Sequence, residues 1–146
     1  MDCAFSITAE GDGLSAASYL WIADGEFDIL SGGGSADVTQ DASTGQWSFW
    51  NHEQTSDDSD ISAKGIKSSV NVTIQQGVFR LDSADDALHS NDSLTLLGGM
   101  FAIVTGDDGI HADGAVLISD GTIDISESYE GIEGLTIDIT GGVINL

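Results

Sequence analysis

The hydrophobic residues of this chain recur with a strict period of 22 residues. Ile66, Leu88, Ile110 and Ile132 stand 22 residues apart, and each follows a glycine or an alanine. Two pairs of apolar residues come after each of these positions, and the members of a pair are two residues apart. This spacing is typical of strands that bury alternate side chains, so each unit predicts two short β-strands and a third apolar contact.

Five copies of this unit are present, and each of their core positions is aliphatic or phenylalanine. An isolated unit cannot bury its apolar face, but units stacked about 4.8 Å apart place like residues on like. We therefore predict an all-β fold, a parallel β-helix of about five coils that forms one domain over residues 1–146. The copies are Leu14, Leu20, Ile22, Phe27 and Ile29; Ile66, Val72, Ile74, Phe79 and Leu81; Leu88, Leu94, Leu96, Phe101 and Ile103; Ile110, Val116, Ile118, Ile123 and Ile125; and, after a one-residue deletion, Ile132, Ile137, Ile139, Ile144 and Leu146.

The repeat is interrupted once, between its first and second copies. Ile29 and Ile66 are 37 residues apart, whereas the corresponding residues of the later copies are seven apart. The extra residues predict a loop excursion over about residues 31–60, and they include Trp47 and Trp50. A loop this long within a compact domain is usually functional.

The charge of the chain is strongly negative. Three basic residues stand against 25 acidic ones, which gives a net charge of -22 and disfavours nucleic acid and anionic membranes as partners. No apolar run approaches the about 18 residues of a membrane span, so membrane insertion is not expected. The first ten residues lack the basic and apolar regions of a secretion signal. We expect a mature form or a fragment.

Stacking places four carboxylates together at one turn of the β-helix. Asp85 and Asp86 stand one coil from Asp107 and Asp108, and their charges repel one another unless a cation lies between them. Oxygen ligands at a turn suit Ca²⁺ better than Zn²⁺, so we predict a calcium site formed by these four aspartates. The alternative is that the aspartates accept hydrogen bonds from turn N–H groups and face water.

Lys64 interrupts this acidic column between Asp12 and Asp86. The simpler interpretation is charge compensation; the alternative is a Brønsted base beside a metal ion, which abstracts a proton next to a sugar carboxylate. Arg80 faces outward one coil from Asp28, and we expect those two residues to pair.

Further polar and aromatic residues are candidates for contact with sugars. An outward-facing column contains Lys67, His89 and His111, and two stacked histidines can bind a transition metal or a sugar hydroxyl, although solvated turn positions are commoner. No zinc site is predicted. Trp21 faces outward and can stack on a pyranose ring, unless Trp47 and Trp50 cover it as a small satellite core. The predicted carbohydrate-binding residues are Trp21, Trp47, Trp50, Lys67, His89 and His111.

Several segments resemble a family of bacterial carbohydrate-binding, right-handed parallel β-helix proteins. They are Ser83–Asn91, Thr105–Asp113, Ser62–Lys67 and Ser128–Glu133, together with Gly11–Leu14 and the Ser-Gly-Gly-Gly-Ser opening of the loop. That family includes a surface protein that binds cellulose and polygalacturonate. The resemblance implies a right-handed coil, an extracellular or cell-surface location and binding of polysaccharide. It also implies a cation role for Asp85, Asp86, Asp107 and Asp108, and a lyase-like lysine at Lys64.

Together these features predict an extracellular, calcium-assisted module that binds cellulose or an acid-sugar polymer. No catalytic residue is predicted, because triad and phosphate-loop motifs are missing from the sequence. Two alternatives stay open. One is a self-assembling filament or adhesin subunit, in which β-helices stack head to tail through open strand edges. The other is a calcium-dependent uronate lyase with Lys64 as its base.

Overall fold

The computed structural model describes residues 3–37 and 62–146, and almost all of their regular structure is β-strand. One short 3-10 helix covers Ser35–Asp37. The strands are β1 (Ala4–Ala9), β2 (Leu14–Ala16), β3 (Tyr19–Ile22), β4 (Glu26–Ser31), β5 (Ile66–Ser68), β6 (Asn71–Ile74), β7 (Val78–Ser83), β8 (Leu88–Ser90), β9 (Ser93–Leu96), β10 (Met100–Thr105), β11 (Ile110–Ile118), β12 (Thr122–Glu127), β13 (Ile132–Ile139) and β14 (Val143–Asn145).

The strands stack in parallel columns, and this confirms the predicted parallel β-helix of about five coils. One sheet has the order β1-β4-β7-β10-β12-β14. In the second sheet, β2-β5-β8 form a first column and β3-β6-β9 a second, and β11 and β13 are long enough to belong to both. Partners in the regular middle coils are 22 residues apart, as in the pairs Ile66–Leu88 and Leu88–Ile110.

The two columns of the second sheet adapt to the shorter last copy of the repeat. Ala112 pairs with Gly134 and Ala115 pairs with Thr136, so β11 uses one more residue than β13 between these two pairs. The one-residue deletion seen in the sequence is therefore absorbed at the corner between the columns, and the pairing of the strands on both sides is kept.

Apolar side chains of all three columns meet along the axis of the coil. The phenyl rings of Phe5, Phe27, Phe79 and Phe101 form one continuous stack, with centroid distances of 4.8, 4.9 and 4.7 Å. These distances match the spacing of paired strands, because each ring comes from the next coil. The sequence analysis missed strand β1, whose Ile7 packs against this interior and whose Phe5, 44% exposed, ends the ring stack.

Glycines allow the tight corners between strands. Gly77 has a φ of 133°, and a Cβ atom there would lie 2.8 Å from the carbonyl oxygen of Gly25. The φ of Gly65 is not in the positive range, but a Cβ atom added there would lie 2.6 Å from the carbonyl oxygen of Ala87. A side chain at either position would push neighbouring coils apart, which explains why glycine recurs there in the repeat.

The chain leaves the regular coil after Ser31. Gly32, Gly33 and Gly34 have φ angles of 61°, 81° and 86°, and the backbone N–H of Ser35 donates a 2.7 Å hydrogen bond to Asp82. Residues 38–61 lie outside the described part of the chain, and the predictions for Trp47 and Trp50 fall on them. Within residues 3–37 and 62–146, no helix is long and apolar enough to cross a lipid bilayer.

The prediction that Arg80 pairs with Asp28 on the outer face was wrong. Asp28 is its register partner, but the guanidinium binds Glu26, with 2.8 Å between Arg80 Nη1 and Glu26 Oε1. Both of these side chains are about half exposed, so the pair contributes little stability.

Candidate functional site

The turn before the first strand column carries a ladder of carboxylates. The backbone N–H of Asp108 donates to Asp86 Oδ1 at 3.2 Å, and that of Glu130 donates to Asp108 Oδ1 at 3.2 Å. One coil before Lys64, Asp12 Oδ1 accepts from the Lys64 N–H at 3.0 Å. These aspartates thus accept hydrogen bonds from turn N–H groups of the next coil, as the alternative interpretation of the sequence expected. Asp86 and Asp108 are only 2% and 5% exposed, however, so they do not face water as that interpretation also expected.

Lys64 breaks the ladder and compensates its charge. Lys64 Nζ lies 2.9 Å from Asp85 Oδ1 and 2.7 Å from Asp86 Oδ2. Burial opposes the charge of the ammonium, but hydrogen bonds to Asp85 and Asp86 outweigh it and raise the pKa of Lys64. A lysine that holds its proton cannot act as a base at neutral pH, so this geometry favours charge compensation.

Asp86 is the centre of a buried network. It is 2% exposed, and its Oδ2 accepts from both Lys64 Nζ and His89 Nδ1, each at 2.7 Å. Burial by itself would raise the pKa of this carboxyl, but the bonds from His89 and Lys64 lower it to about 2. Asp86 therefore stays ionised over most of the pH range.

His89 is fully engaged within this network. Its Nδ1 lies 2.7 Å from Asp86, its Nε2 lies 2.8 Å from Asn91 Oδ1, and the residue is 8% exposed. Neither ring nitrogen is left to bind a sugar hydroxyl. The sequence places Asn91 two residues after the histidine, and that spacing was a signal that the sequence analysis did not use.

His111 occupies the equivalent position one coil later but has a different environment. Its Nδ1 is 3.3 Å from Asp108 Oδ2, 3.3 Å from Glu133 Oε2 and 3.6 Å from Asp86 Oδ2. Its Nε2 is 3.4 Å from Asp113 Oδ1. These distances are longer than those of a charge-assisted hydrogen bond, so one ring nitrogen faces three carboxylates without a close partner. The sequence analysis gave no role to Glu133 or Asp113.

Negative charge is in excess around His111. Burial, a hydrogen bond with Glu133 and the charge of Asp86 raise the pKa of Asp108 to about 6. Burial and the charges of Asp108, Asp86 and Asp85 also raise the pKa of Asp107. A proton or another cation therefore stabilises this part of the turn.

The four aspartates predicted to hold calcium do not form one group. Carboxylate oxygens of Asp85, Asp86 and Asp107 lie within 4.8 Å of one another, and that span suits Ca²⁺ with its oxygen ligands at 2.3–2.6 Å. Asp108 instead groups with His111 and Glu133. These three aspartates could hold the ion only in place of the Lys64 ammonium, which binds two of them.

The other outward face of the same sheet carries no charge over four coils. Trp21 pairs with Thr73, Thr73 with Thr95, and Thr95 with Leu117. Trp21 and its neighbour Tyr19 are 67% and 71% exposed. We call the following set the neutral strip: Tyr19, Trp21, Asn71, Thr73, Ser93, Thr95 and Leu117.

The structure separates Trp21 from three other predicted sugar-binding residues, those that lie within the described part of the chain. Lys67, His89 and His111 lie in the first strand column, whereas Trp21 lies in the second. Lys67 Nζ lies 3.2 Å from Ser62 Oγ and 3.7 Å from Asp12 Oδ2, so the ammonium compensates local charge. Within the described residues, Trp21 and Tyr19 form the exposed aromatic part of the neutral strip.

Comparison with known proteins gives a family over most of the chain. Neither the curated proteins nor the solved structures contain a match. The model of one family, described as carbohydrate-binding domain-containing protein, matches residues 2–109. Because this match covers well over half of the 146 residues, the chain belongs to that family of carbohydrate-binding domain-containing proteins.

Proposed function

We propose that this protein is an extracellular, non-catalytic module that binds a neutral polysaccharide of the cellulose type along the neutral strip. The observation that carries the proposal is an exposed Trp21 at one end of a charge-free row of hydroxyl and amide side chains. Membership of a carbohydrate-binding domain family supports it independently.

The chemistry of the neutral strip suits a sugar chain. Indole and phenol rings present flat apolar faces to pyranose rings, and their polar tips remain hydrated. Thr73 and Thr95 repeat at the spacing of the coils, and their hydroxyls both donate and accept hydrogen bonds. A linear polymer that runs along the axis therefore meets an aromatic platform first and a row of hydroxyls next.

Charge favours a neutral polymer over an acidic one. The net charge of -22 repels a polyuronate unless a cation bridges carboxylate to carboxylate. We propose that Ca²⁺ provides this bridge at Asp85, Asp86 and Asp107, the three aspartates whose oxygens lie together. Calcium then extends the binding range to polygalacturonate, while binding at the neutral strip does not depend on it.

The main test compares two exposed aromatic residues. Trp21→Ala removes the platform, and Tyr129→Ala is the matched control, since Tyr129 is 80% exposed and lies outside the neutral strip. We expect Trp21→Ala to weaken retention on insoluble cellulose about 30-fold, the effect of losing an aromatic anchor worth about 2 kcal/mol. Tyr129→Ala should bind as the unchanged protein does. Equal binding by both variants would remove the neutral strip from the proposal.

A second test addresses calcium. Polygalacturonate mobility shifts are measured with Ca²⁺ and with a chelator, for the unchanged protein, for Asp107→Asn and for Asp124→Asn. Asp124 is an exposed carboxylate of the other sheet and controls for the loss of one charge. We expect a shift that needs calcium and that only Asp107→Asn weakens. Binding that survives chelation would contradict the proposed bridge.

Two alternatives are tested separately. The lyase hypothesis predicts unsaturated products that absorb in the ultraviolet, but the protonated, ion-paired Lys64 does not favour it.

Head-to-tail self-association stays a prediction. Ile137 and Ile139 of β13 are 46% and 49% exposed, which is compatible with it. Light scattering that shows only monomers at high concentration would count against a filament.

A further inference from the structure

The environment of His111 differs from that of every other ionisable side chain described above. One imidazole nitrogen faces oxygens of Asp108, Glu133 and Asp86 at 3.3, 3.3 and 3.6 Å. An imidazole N–H donates to only one acceptor, and an unprotonated nitrogen has a lone pair that the carboxylates repel. The arrangement is therefore favourable when a cation lies among these atoms.

Two of the three spacings among the nearest atoms match the edge of a tetrahedral metal centre. A zinc ion binds imidazole nitrogen and carboxylate oxygen at about 2.0–2.2 Å, and the edge of such a tetrahedron is about 3.3 Å long. The distances from His111 Nδ1 to Asp108 Oδ2 and to Glu133 Oε2 are both 3.3 Å. One ligand atom from each residue lies within 4.8 Å of the others.

We propose that Asp108, His111 and Glu133 form a site for a divalent transition metal ion of the zinc class, distinct from the oxygen-only calcium site. Mixed nitrogen and oxygen donors select such an ion over Ca²⁺, which prefers oxygen alone. Asp86 Oδ2 lies farther from His111 Nδ1, at 3.6 Å, and also groups with Asp85 and Asp107, so it neutralises charge beside the ion and does not bind it. Three protein ligands leave a fourth position for water or a sugar hydroxyl.

Neighbouring groups hold the ligands in place. Asp108 Oδ1 accepts the N–H of Glu130, which fixes the carboxylate and leaves Oδ2 to face His111. Asp113 Oδ1 lies 3.4 Å from His111 Nε2, the position from which a carboxylate orients a metal-bound imidazole. His111 and Glu133 side chains are 24% and 47% exposed, so an ion can enter from solvent.

The experiment measures binding of Zn²⁺ alone to chelator-treated protein by calorimetry, with Co²⁺ absorption as a second readout. We expect calorimetry to show one Zn²⁺ ion bound per chain at this site. The absorption spectrum of the Co²⁺-loaded protein should show the bands of a four-coordinate ion. His111→Ala and Glu133→Gln should each weaken binding at this site by more than about 100-fold, and Asp113→Asn by about tenfold, the usual range for an orienting partner. Asp124→Asn, the charge-matched control on the other sheet, should change it by less than twofold.

Several results would overturn the site. They are the absence of Zn²⁺ binding by the unchanged protein, undiminished binding by His111→Ala, or displacement of Zn²⁺ by millimolar Ca²⁺. If His111→Ala does not fold, the more exposed Glu133→Gln decides the question, with circular dichroism as the check on folding. Sugar binding on the neutral strip is measured with chelator present, so failure of the metal site leaves the proposed function standing, and the reverse also holds.

Discussion

The two outward faces of the second sheet use the same repeat in opposite ways. In the first column the exposed position changes from Ser15 to Lys67, His89, His111 and Glu133. In the second column the neutral strip keeps uncharged residues over four coils, from Trp21 to Leu117, and a charge comes only in the last coil, at Asp138. Side chains about 4.8 Å apart can repeat a hydroxyl or an aliphatic group at no electrostatic cost, whereas a repeated charge needs a partner of opposite sign.

We also expect the two columns to differ in role, with the turn before the first column contributing to stability and the neutral strip to sugar binding. Polar residues at the turn before the first column donate to or accept from one another and the next coil's backbone, as Lys64, Asp86 and Asp108 do. In the neutral strip Trp21 and Tyr19 are exposed to solvent, and the remaining residues, Thr73 among them, are partly exposed. Substitutions at the turn should therefore change the free energy of unfolding, and substitutions in the strip should change the affinity for sugar.

The largest expected effect is that of Asp86→Ala. It leaves the ammonium of Lys64 and the ring of His89 without their shared acceptor in a buried network. Removal of one partner of such a network costs about 3–5 kcal/mol. Urea unfolding should show this loss, whereas Thr73→Ala in the neutral strip should cost about 0.5 kcal/mol. Equal costs would break the comparison.

The next effect is a pH dependence with two opposite slopes, measured with chelator present. The pKa of Asp86 is lowered to about 2, so its contribution is present above about pH 4 and is lost as the pH falls towards 2. The pKa of Asp108 is raised to about 6, so folded protein is favoured at pH 4 and stability falls as the pH rises through 6. After allowance for solvent screening, the change in the free energy of unfolding over each limb is on the order of 1 kcal/mol.

Asp108→Asn should flatten the limb of the pH profile between pH 4 and 6, while the control Asp124→Asn should retain it. The measurement is the free energy of unfolding in urea at several pH values. A limb that persists in Asp108→Asn would assign it to another group.

A smaller effect is expected for Lys64→Gln. Without the ammonium, Asp85 and Asp86 repel each other, and stability in chelator should fall by about 2 kcal/mol. Calcium can then replace the missing charge, so it should raise the melting temperature of the variant more than that of the unchanged protein. An equal calcium response in both proteins would place the ion away from these aspartates.

The smallest effect is that of Thr95→Val in the neutral strip. The shapes of the two side chains are similar, so stability should stay within about 0.5 kcal/mol. Loss of one hydrogen bond to sugar should lower the affinity for soluble cello-oligosaccharides about fivefold, which corresponds to about 1 kcal/mol. An unchanged affinity, measured by calorimetry, would place the sugar outside this part of the strip.

The regular part of the molecule could be predicted from sequence because its cause is local and repeated. The fixed period determines which residues stack on one another in neighbouring coils, and the alternation of side chains determines which of them point inward. Equivalent positions are therefore buried, as for Ile66, Leu88 and Ile110. Strand β1 was not predicted because Phe5 and Ile7 are the only core positions of the repeat in this segment. The first apolar residue and the first pair of the other copies are missing before them.

The site was predictable in composition but not in contacts. Column alignment brought Asp86 and Asp108 to neighbouring coils, but the direction of each carboxylate depends on side-chain torsions and competing partners. Lys64 and His89 engage Asp86 Oδ2, and Glu133 and His111 lie beside Asp108. The sequence therefore could not show that the four aspartates divide into two groups. The predicted roles of Trp47 and Trp50 stay predictions.

The corner between Ala112 and Ala115 suggests how proteins of this shape change length. The last copy of the repeat has one residue fewer there, and the strands on both sides of the corner still pair in register. Within a strand, the same loss would turn every following side chain to the opposite face. Whole coils can thus be duplicated or removed, and single residues can be lost at corners. The length of the neutral strip can therefore change with the number of coils while the fold of each coil stays the same.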